Sequence, residues 1–208
     1  MAVRVKICGI TRVEDAQIAV AAGAHSLGFV FYEPSPRYID PCVAAEIISA
    51  IPPFVTTTAL FVDADPTYVR EVITLTKIDL LQFHGEEPPV YCEQFDRPYI
   101  KALRMKPGID LIQQAKYYAA ARAILLDAYK PGIPGGTGES FEWSMIPDSL
   151  RPHIILAGGL TPGNVAQAIQ KVMPYAVDIS GGVEASRGIK DIHKIKCFFE
   201  EVARANNN

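Results

Sequence analysis

Val3-Arg4-Val5-Lys6-Ile7-Cys8 alternates apolar and polar side chains residue by residue, and Gly9 ends the run. Successive side chains of a strand point to opposite faces. Val3, Val5 and Ile7 therefore share one face, and Arg4, Lys6 and Cys8 the other. A longer amphipathic stretch, 13–22, follows at once and can cover the apolar face. The same pairing of a short β-branched run with a longer amphipathic one recurs down the chain. Strand ends are expected near Cys8, Val30, Val62, His84, Arg104, Asp127, Ala157 and Ser180, at intervals of about 20–32 residues, the size of a compact strand-plus-helix unit. Helices are expected over 13–22, 42–50, 66–77, 88–94, 108–121, 162–172 and 189–204, while the sixth unit offers only 143–148 after a long loop. Eight such units favour an α/β fold closed as a single-domain (β/α)8 TIM barrel. The alternative is a flavodoxin-like open sheet, which usually needs fewer strands. The barrel is expected to occupy 1–205 and to leave 206–208 as a frayed polar tail.

Composition narrows the class. A chain of 208 residues, 49% hydrophobic and 21% charged, is long enough to bury roughly 70% of its unfolded surface. Its net charge of −3 gives no electrostatic footprint for nucleic acid or an anionic membrane. No apolar run approaches the roughly 18–20 residues of a membrane span, and no secretory leader is expected. Cys8, Cys42, Cys92 and Cys197 lie far apart, with no CxxC or other metal-ligand spacing. A reduced, cytoplasmic protein without a metal is the expectation, either a monomer or a homodimer.

Strand parity then populates the barrel interior. It turns Lys6 and Cys8 inward on the first strand, Gln82 and His84 on the fourth, Asp127 on the sixth, and Asp178 and Ser180 on the eighth. Lys101 is also expected inward. Several of these residues end their strands, where barrel enzymes carry their active sites. Taken singly, each has a plainer reading. Cys8 is a small buried hydrophobe, Asp127 a partner for a lysine, His84 a satisfied interior histidine, and Arg37 a solvated loop charge. Convergence on one end of the barrel raises all four.

Two glycine-bearing turns follow the last two strands, Ala157-Gly158-Gly159-Leu160 and Ser180-Gly181-Gly182-Val183. Either alone serves a tight turn. Together, at the seventh and eighth positions, they match the phosphate site that barrels often build there. A short helix beginning near Glu184 is expected to add its N-terminal dipole. A third segment, with Gly135, Gly136 and Gly138, lacks the GK[ST] ending of a P-loop. It is long for a compact barrel, which suits either a lid or a surface loop.

Read in order, the motifs are Lys6-Ile7-Cys8-Gly9-Ile10-Thr11, Gly28-Phe29-Val30-Phe31, Ser35-Pro36-Arg37-Tyr38-Ile39, Leu81-Gln82-Phe83-His84-Gly85, Leu126-Asp127, Phe141-Glu142-Trp143 and Asp178-Ile179-Ser180-Gly181-Gly182-Val183-Glu184. The chain resembles phosphoribosylanthranilate isomerase of tryptophan biosynthesis over essentially its whole length. That resemblance implies a cofactor-independent Amadori rearrangement of N-(5-phosphoribosyl)anthranilate to the 1-deoxyribulose 5-phosphate. It implies Cys8 as general base, Asp127 as general acid and Arg37 as the partner of the anthranilate carboxylate. Gln82, His84 and Asp178 would bind substrate, and Gly158, Gly159, Ser180, Gly181 and Gly182 the phosphate. Two departures stand out. Gly181 replaces the second serine of the family's SSGVE, and Ser186-Arg187-Gly188 replaces its usual SPG. The first removes one hydroxyl from the phosphate loop but leaves its backbone N–H groups.

The unperturbed pKa of about 8.5 for Cys and 3.9 for Asp mismatches both residues to their tasks at neutral pH. Lys6, one layer below Cys8, is expected to favour the thiolate, and burial under the lid to raise Asp127. Three rivals remain. A histidine-pathway aminoaldose isomerase typically has Asp at the first-strand position, where Cys8 stands here. A phosphosugar lyase would use a lysine such as Lys6 or Lys101. A non-catalytic phosphate-binding barrel would not need Cys8 and Asp127 together.

Overall fold

The computed structural model describes residues 2–128 and 141–207. Eight parallel strands close into a barrel in strict chain order: β1 (Arg4–Cys8), β2 (Ser26–Val30), β3 (Thr56–Phe61), β4 (Leu80–Phe83), β5 (Tyr99–Arg104), β6 (Ala123–Asp127), β7 (Ile154–Leu156) and β8 (Ala176–Ile179). The expected strand ends fall within a residue of these. The seam that closes the barrel pairs β1 with β8 and sets Lys6 opposite Asp178. Outside the strands lie helices α1 (Val13–Ala21), α2 (Pro41–Ser49), α3 (Pro66–Thr76), α4 (Pro89–Cys92), α5 (Leu111–Tyr117), α6 (Val165–Val172) and α7 (Ile192–Asn206).

Local chemistry starts several of these helices. Asp40, Asp65, Asp110 and Asp191 each accept a backbone N–H of the first turn of α2, α3, α5 and α7, and Pro41 and Pro66 stand in the first turn of α2 and α3. Such caps are worth about 1 kcal/mol each, and proline at that position loses no hydrogen bond. Most of the core lies between the strands' outer faces and the helices, with Ile7, Leu27, Phe61, Phe83, Val177 and Phe198 fully or almost fully buried. A smaller cluster of Ile100, Ala102, Leu125, Ile155, Ala157 and Ala176 fills part of the barrel itself.

Four expectations are corrected. The sixth unit forms only 3-10 turns at Trp143–Met145 and Arg151–His153, because Pro147 and Pro152 interrupt any longer helix. No helix begins at Glu184. A 3-10 turn, Gly181–Val183, leads instead into an antiparallel ribbon of β9 (Glu184–Ser186) and β10 (Ile189–Lys190). Lys101 points outward, since it shares register with Phe83 and Ile124, and its ammonium is taken by Glu87 Oε2 at 2.6 Å and the Gly85 carbonyl at 2.7 Å. Helix α7 also runs one residue into the tail expected to fray, and Asn206 Oδ1 accepts the Val3 N–H at 2.9 Å. The glycines of the expected lid, Gly135, Gly136 and Gly138, lie outside the described residues.

Candidate active site

At the C-terminal end of the strands a cavity of about 600 Å³ is lined by Cys8, Arg37, Gln82, His84, Asp127, Asp178 and both glycine turns. Strand parity brings these side chains to one place from β1, β4, β6 and β8 and the loops beyond them.

Cys8 ends β1 and pairs in register with Gly28 on β2. The pairing explains a glycine inside a strand. A Cβ at position 28 would stand 2.8 Å from Cys8 Sγ and 3.1 Å from Lys6 Cε, so the missing side chain is the space the thiol occupies. Below it Lys6 Nζ donates to both oxygens of Asp178 at 3.0 Å. Burial pushes the Cys8 thiol above its ordinary value. The Lys6 ammonium pulls in the expected direction but is outweighed, and Asp178 adds to the upward push. Lys6 shows the converse. Burial alone would lower it, yet the charge of Asp178, with Cys8, holds it above its ordinary value.

Across the barrel Asp127 ends β6. Its Oδ1 accepts the Ala128 N–H at 2.9 Å, and its Oδ2 lies 3.1 Å from His84 Nε2. Gln82 Nε2 in turn lies 3.2 Å from His84 Nδ1. With Nδ1 accepting from the amide, Nε2 carries the hydrogen and donates to the Asp127 carboxylate. Gln82 and His84 thus reach each other and Asp127 on the cavity floor, as Asp178 reaches Lys6.

The two glycine turns face one another beyond β7 and β8. Gly158 and Gly159 both adopt left-handed backbone, with φ of 80° and 65°, which only glycine enters without strain. The Ser180 hydroxyl is buried and finds no hydrogen-bond partner among the described residues. A buried polar atom left open in this way is costly unless a ligand completes it.

Arg37 reaches the site from the loop after β2 through contacts that no local pattern announces. Its Nε donates to Glu184 Oε1 at 2.7 Å and its Nη2 to Glu184 Oε2 at 2.9 Å. Glu184 Oε1 also accepts from Lys190 Nζ at 3.0 Å, and Lys190 Nζ donates to the Cys8 and Ser180 carbonyls at 2.6 and 3.3 Å. Burial alone would raise the Glu184 carboxyl. The Arg37 hydrogen bond and the Lys190 charge outweigh it and hold the group below the ordinary carboxylate range. Glu184 was visible only as part of a motif, and Lys190 carried no signal. The contacts that bring them to the site, Glu184 with Arg37 and Lys190 with the Cys8 carbonyl, span 147 and 182 positions of the chain.

A closed eight-stranded barrel that gathers a thiol, carboxyls, a guanidinium and two glycine turns around one cavity at the strands' C-terminal end has the build of a barrel enzyme. The chain belongs to the N-(5'-phosphoribosyl)anthranilate isomerase family, whose model matches residues 5–201. It is similar to the N-(5'-phosphoribosyl)anthranilate isomerase of Pseudomonas putida strain W619, 56% identical with 98% of each chain covered. The fold superposes on the phosphoribosyl anthranilate isomerase of Thermus thermophilus with a TM-score of 0.87, at 38% identity over 97% of this chain and 98% of the other. It also matches a phosphoribosyl anthranilate isomerase in complex with reduced 1-(o-carboxyphenylamino)-1-deoxyribulose 5-phosphate, with a TM-score of 0.84 and 39% identity over 97% and 99% of the two chains.

Proposed function

We propose that this chain isomerises N-(5'-phosphoribosyl)anthranilate to 1-(o-carboxyphenylamino)-1-deoxyribulose 5-phosphate, with Asp127 as general acid and Cys8 as general base. The observation that carries these roles is that the Asp127 carboxyl from β6 and the Cys8 thiol from β1 line a single cavity together with the two glycine turns and the Arg37 guanidinium. Asp127 gives its proton to the furanose ring oxygen. The C1–O bond breaks, and the nitrogen lone pair forms an iminium. The Cys8 thiolate then takes the C2 proton, that electron pair forms the C1–C2 double bond, and the iminium pair returns to nitrogen to give an enolamine. In the tautomerisation C1 takes a proton from the Cys8 thiol and the C2 hydroxyl gives one back to the Asp127 carboxylate, which leaves the ketone at C2 and restores both groups. These transfers balance with two acid–base groups alone.

The other residues hold the reactants. Ser180 and the backbone at Gly158, Gly159, Gly181 and Gly182 seat the phosphate, and Arg37 takes the ring carboxylate. Asp178 offers an acceptor to a sugar hydroxyl while it fixes Lys6. His84 and Gln82 keep Asp127 oriented. If the Gln82 amide turns over, its Oε1, which has no partner among the described residues, accepts from His84 Nδ1–H. His84 Nε2 is then free to accept from protonated Asp127. Fluorescence of the anthranilate adduct disappears as it rearranges and supplies the assay. Turnover by the purified chain, lost in both Asp127→Asn and Cys8→Ser, supports the assignment, and turnover retained in either removes that residue from it.

A further inference from the structure

We infer that Glu184 and Lys190 form a positioning pair that aims Arg37, so that selectivity for a carboxylate on the aromatic ring depends on two residues that do not touch it. This rests on the role proposed for Arg37 above.

The geometry fixes the guanidinium on one side. Glu184 engages Nε and one hydrogen of Nη2, a side-on, two-point contact that sets the guanidinium plane. Among the described residues, both hydrogens of Nη1 and the second of Nη2 remain for the cavity that Arg37 lines. The same contact would cancel the charge of Arg37 if it stood alone. Lys190 prevents that, because it shares Glu184 Oε1. One carboxylate between two cations leaves the cluster with a net positive charge. The Lys190 side chain is fully buried and spends its hydrogens on Cys8, Ser180 and Glu184, so Arg37 is the member that can present that charge to a ligand.

The surrounding backbone is built for this arrangement. Glu184 and Lys190 are register partners across the β9–β10 ribbon, an element with no other part in the chemistry. Lys190 ties the ribbon to the ends of β1 and β8, and Thr11 Oγ1 secures its turn by donating to the Gly188 carbonyl at 2.5 Å. A Cβ at position 181 would lie 3.1 Å from Arg37 Nη2. The glycine there gives the guanidinium a little more room than a side chain would.

The test compares two substrates, the anthranilate and the aniline adducts of ribose 5-phosphate, which differ only in the ring carboxylate. The wild type should favour the anthranilate adduct through KM. Glu184→Gln should raise KM for that adduct by about tenfold while shifting the aniline adduct by no more than about twofold. Arg37→Ala should lower the selectivity ratio at least as far, and Arg37→Ala/Glu184→Gln no further than Arg37→Ala. Glu184→Asp, which keeps the charge and shortens the reach, should show a smaller loss confined to the same substrate, and it serves if the amide variant does not fold. If Glu184→Gln or Glu184→Asp weakens both adducts equally while Arg37→Ala collapses the ratio, Glu184 is only structural and the inference falls, leaving Arg37 in its role. If Arg37→Ala leaves the ratio unchanged, both fall.

Discussion

Asp127 and Cys8 make different demands on their surroundings. Asp127 is held at both oxygens, by the Ala128 N–H and by His84, and an amide of the same shape keeps both contacts once the Gln82 amide turns over and leaves His84 Nε2 as an acceptor. Asp127→Asn should therefore fold normally and bind a product analogue within about tenfold of wild type, while turnover falls by about 100-fold or more because an amide cannot deliver the ring-opening proton. Isothermal titration alongside the fluorescence assay separates the two, and near-normal turnover would remove Asp127 from the mechanism. For Cys8 the sign of the shift decides the pH behaviour. Burial raises the thiol above its ordinary value, so in the free enzyme the thiolate is a stronger base but a scarcer one at neutral pH. The rate of inactivation by iodoacetamide, which reads the thiolate alone, should keep climbing past pH 9, where an ordinary thiol would level off. Peptide mapping after partial inactivation should find Cys8 modified in step with lost activity. Modification of exposed Cys42 and Cys197 without loss of activity provides the internal control, and inactivation with Cys8 intact would sink the assignment.

Among the elements, β2 shows how far parity carries and where it stops. Alternation along the strands located their ends and turned Cys8, Gln82, His84, Asp127 and Asp178 toward one cavity, because period-two patterning is a local property of the chain. Gly28 was legible as part of a motif but not as a space. Its purpose depends on the pairing of β1 with β2, which puts Cys8 beside it. Gly28→Ala should accordingly leave the barrel folded, with a melting temperature lowered by only a few degrees, about what 1 kcal/mol produces in a chain of this size. Turnover should fall by about tenfold or more as the thiol is pushed off its position. A kcat unchanged in that variant would show that Cys8 tolerates displacement. The elements misread share one cause: their form is set by distant partners or by breakers. The ribbon at Glu184 is pinned by Asp15, which accepts the Lys190 N–H at 3.0 Å. Lys101 is drawn outward by Glu87 and the face of the Tyr118 ring. Two prolines reduce the sixth helix to 3-10 turns.

At the scale of the molecule, the barrel is apolar on one side and ionic on the other. Ile100, Ala102, Leu125, Ile155 and Ala157 fill the interior along β5 to β7, while the β1–β8 seam carries the buried Lys6–Asp178 pair and, above it, the Arg37–Glu184–Lys190 cluster. Closure of the fold and assembly of the site therefore draw on the same charges. Glu184 allows that coupling to be measured through pH. Its carboxyl faces Arg37 and Lys190, which hold it below the ordinary range against the opposing effect of burial. A carboxyl depressed in the folded state contributes stability that is fully present above its unfolded pKa, about 4.3 for glutamate. That contribution is lost as pH falls through the lower folded value. Glu184→Gln has no proton to gain over this window and leaves two buried cations less well compensated. It should be less stable than wild type at pH 7 by about 2 kcal/mol or more. Below about pH 4.3 the difference should shrink steadily, since the wild type approaches the neutral side chain that the variant already has. Other carboxylates titrate in both proteins and largely cancel in the comparison. Urea unfolding at a series of pH values, analysed with a common m-value, reads the difference directly. A deficit that stays constant from pH 7 to pH 3 would mean that Glu184 stabilises the seam by packing and hydrogen bonding alone, and that its charge has no part in holding the barrel closed.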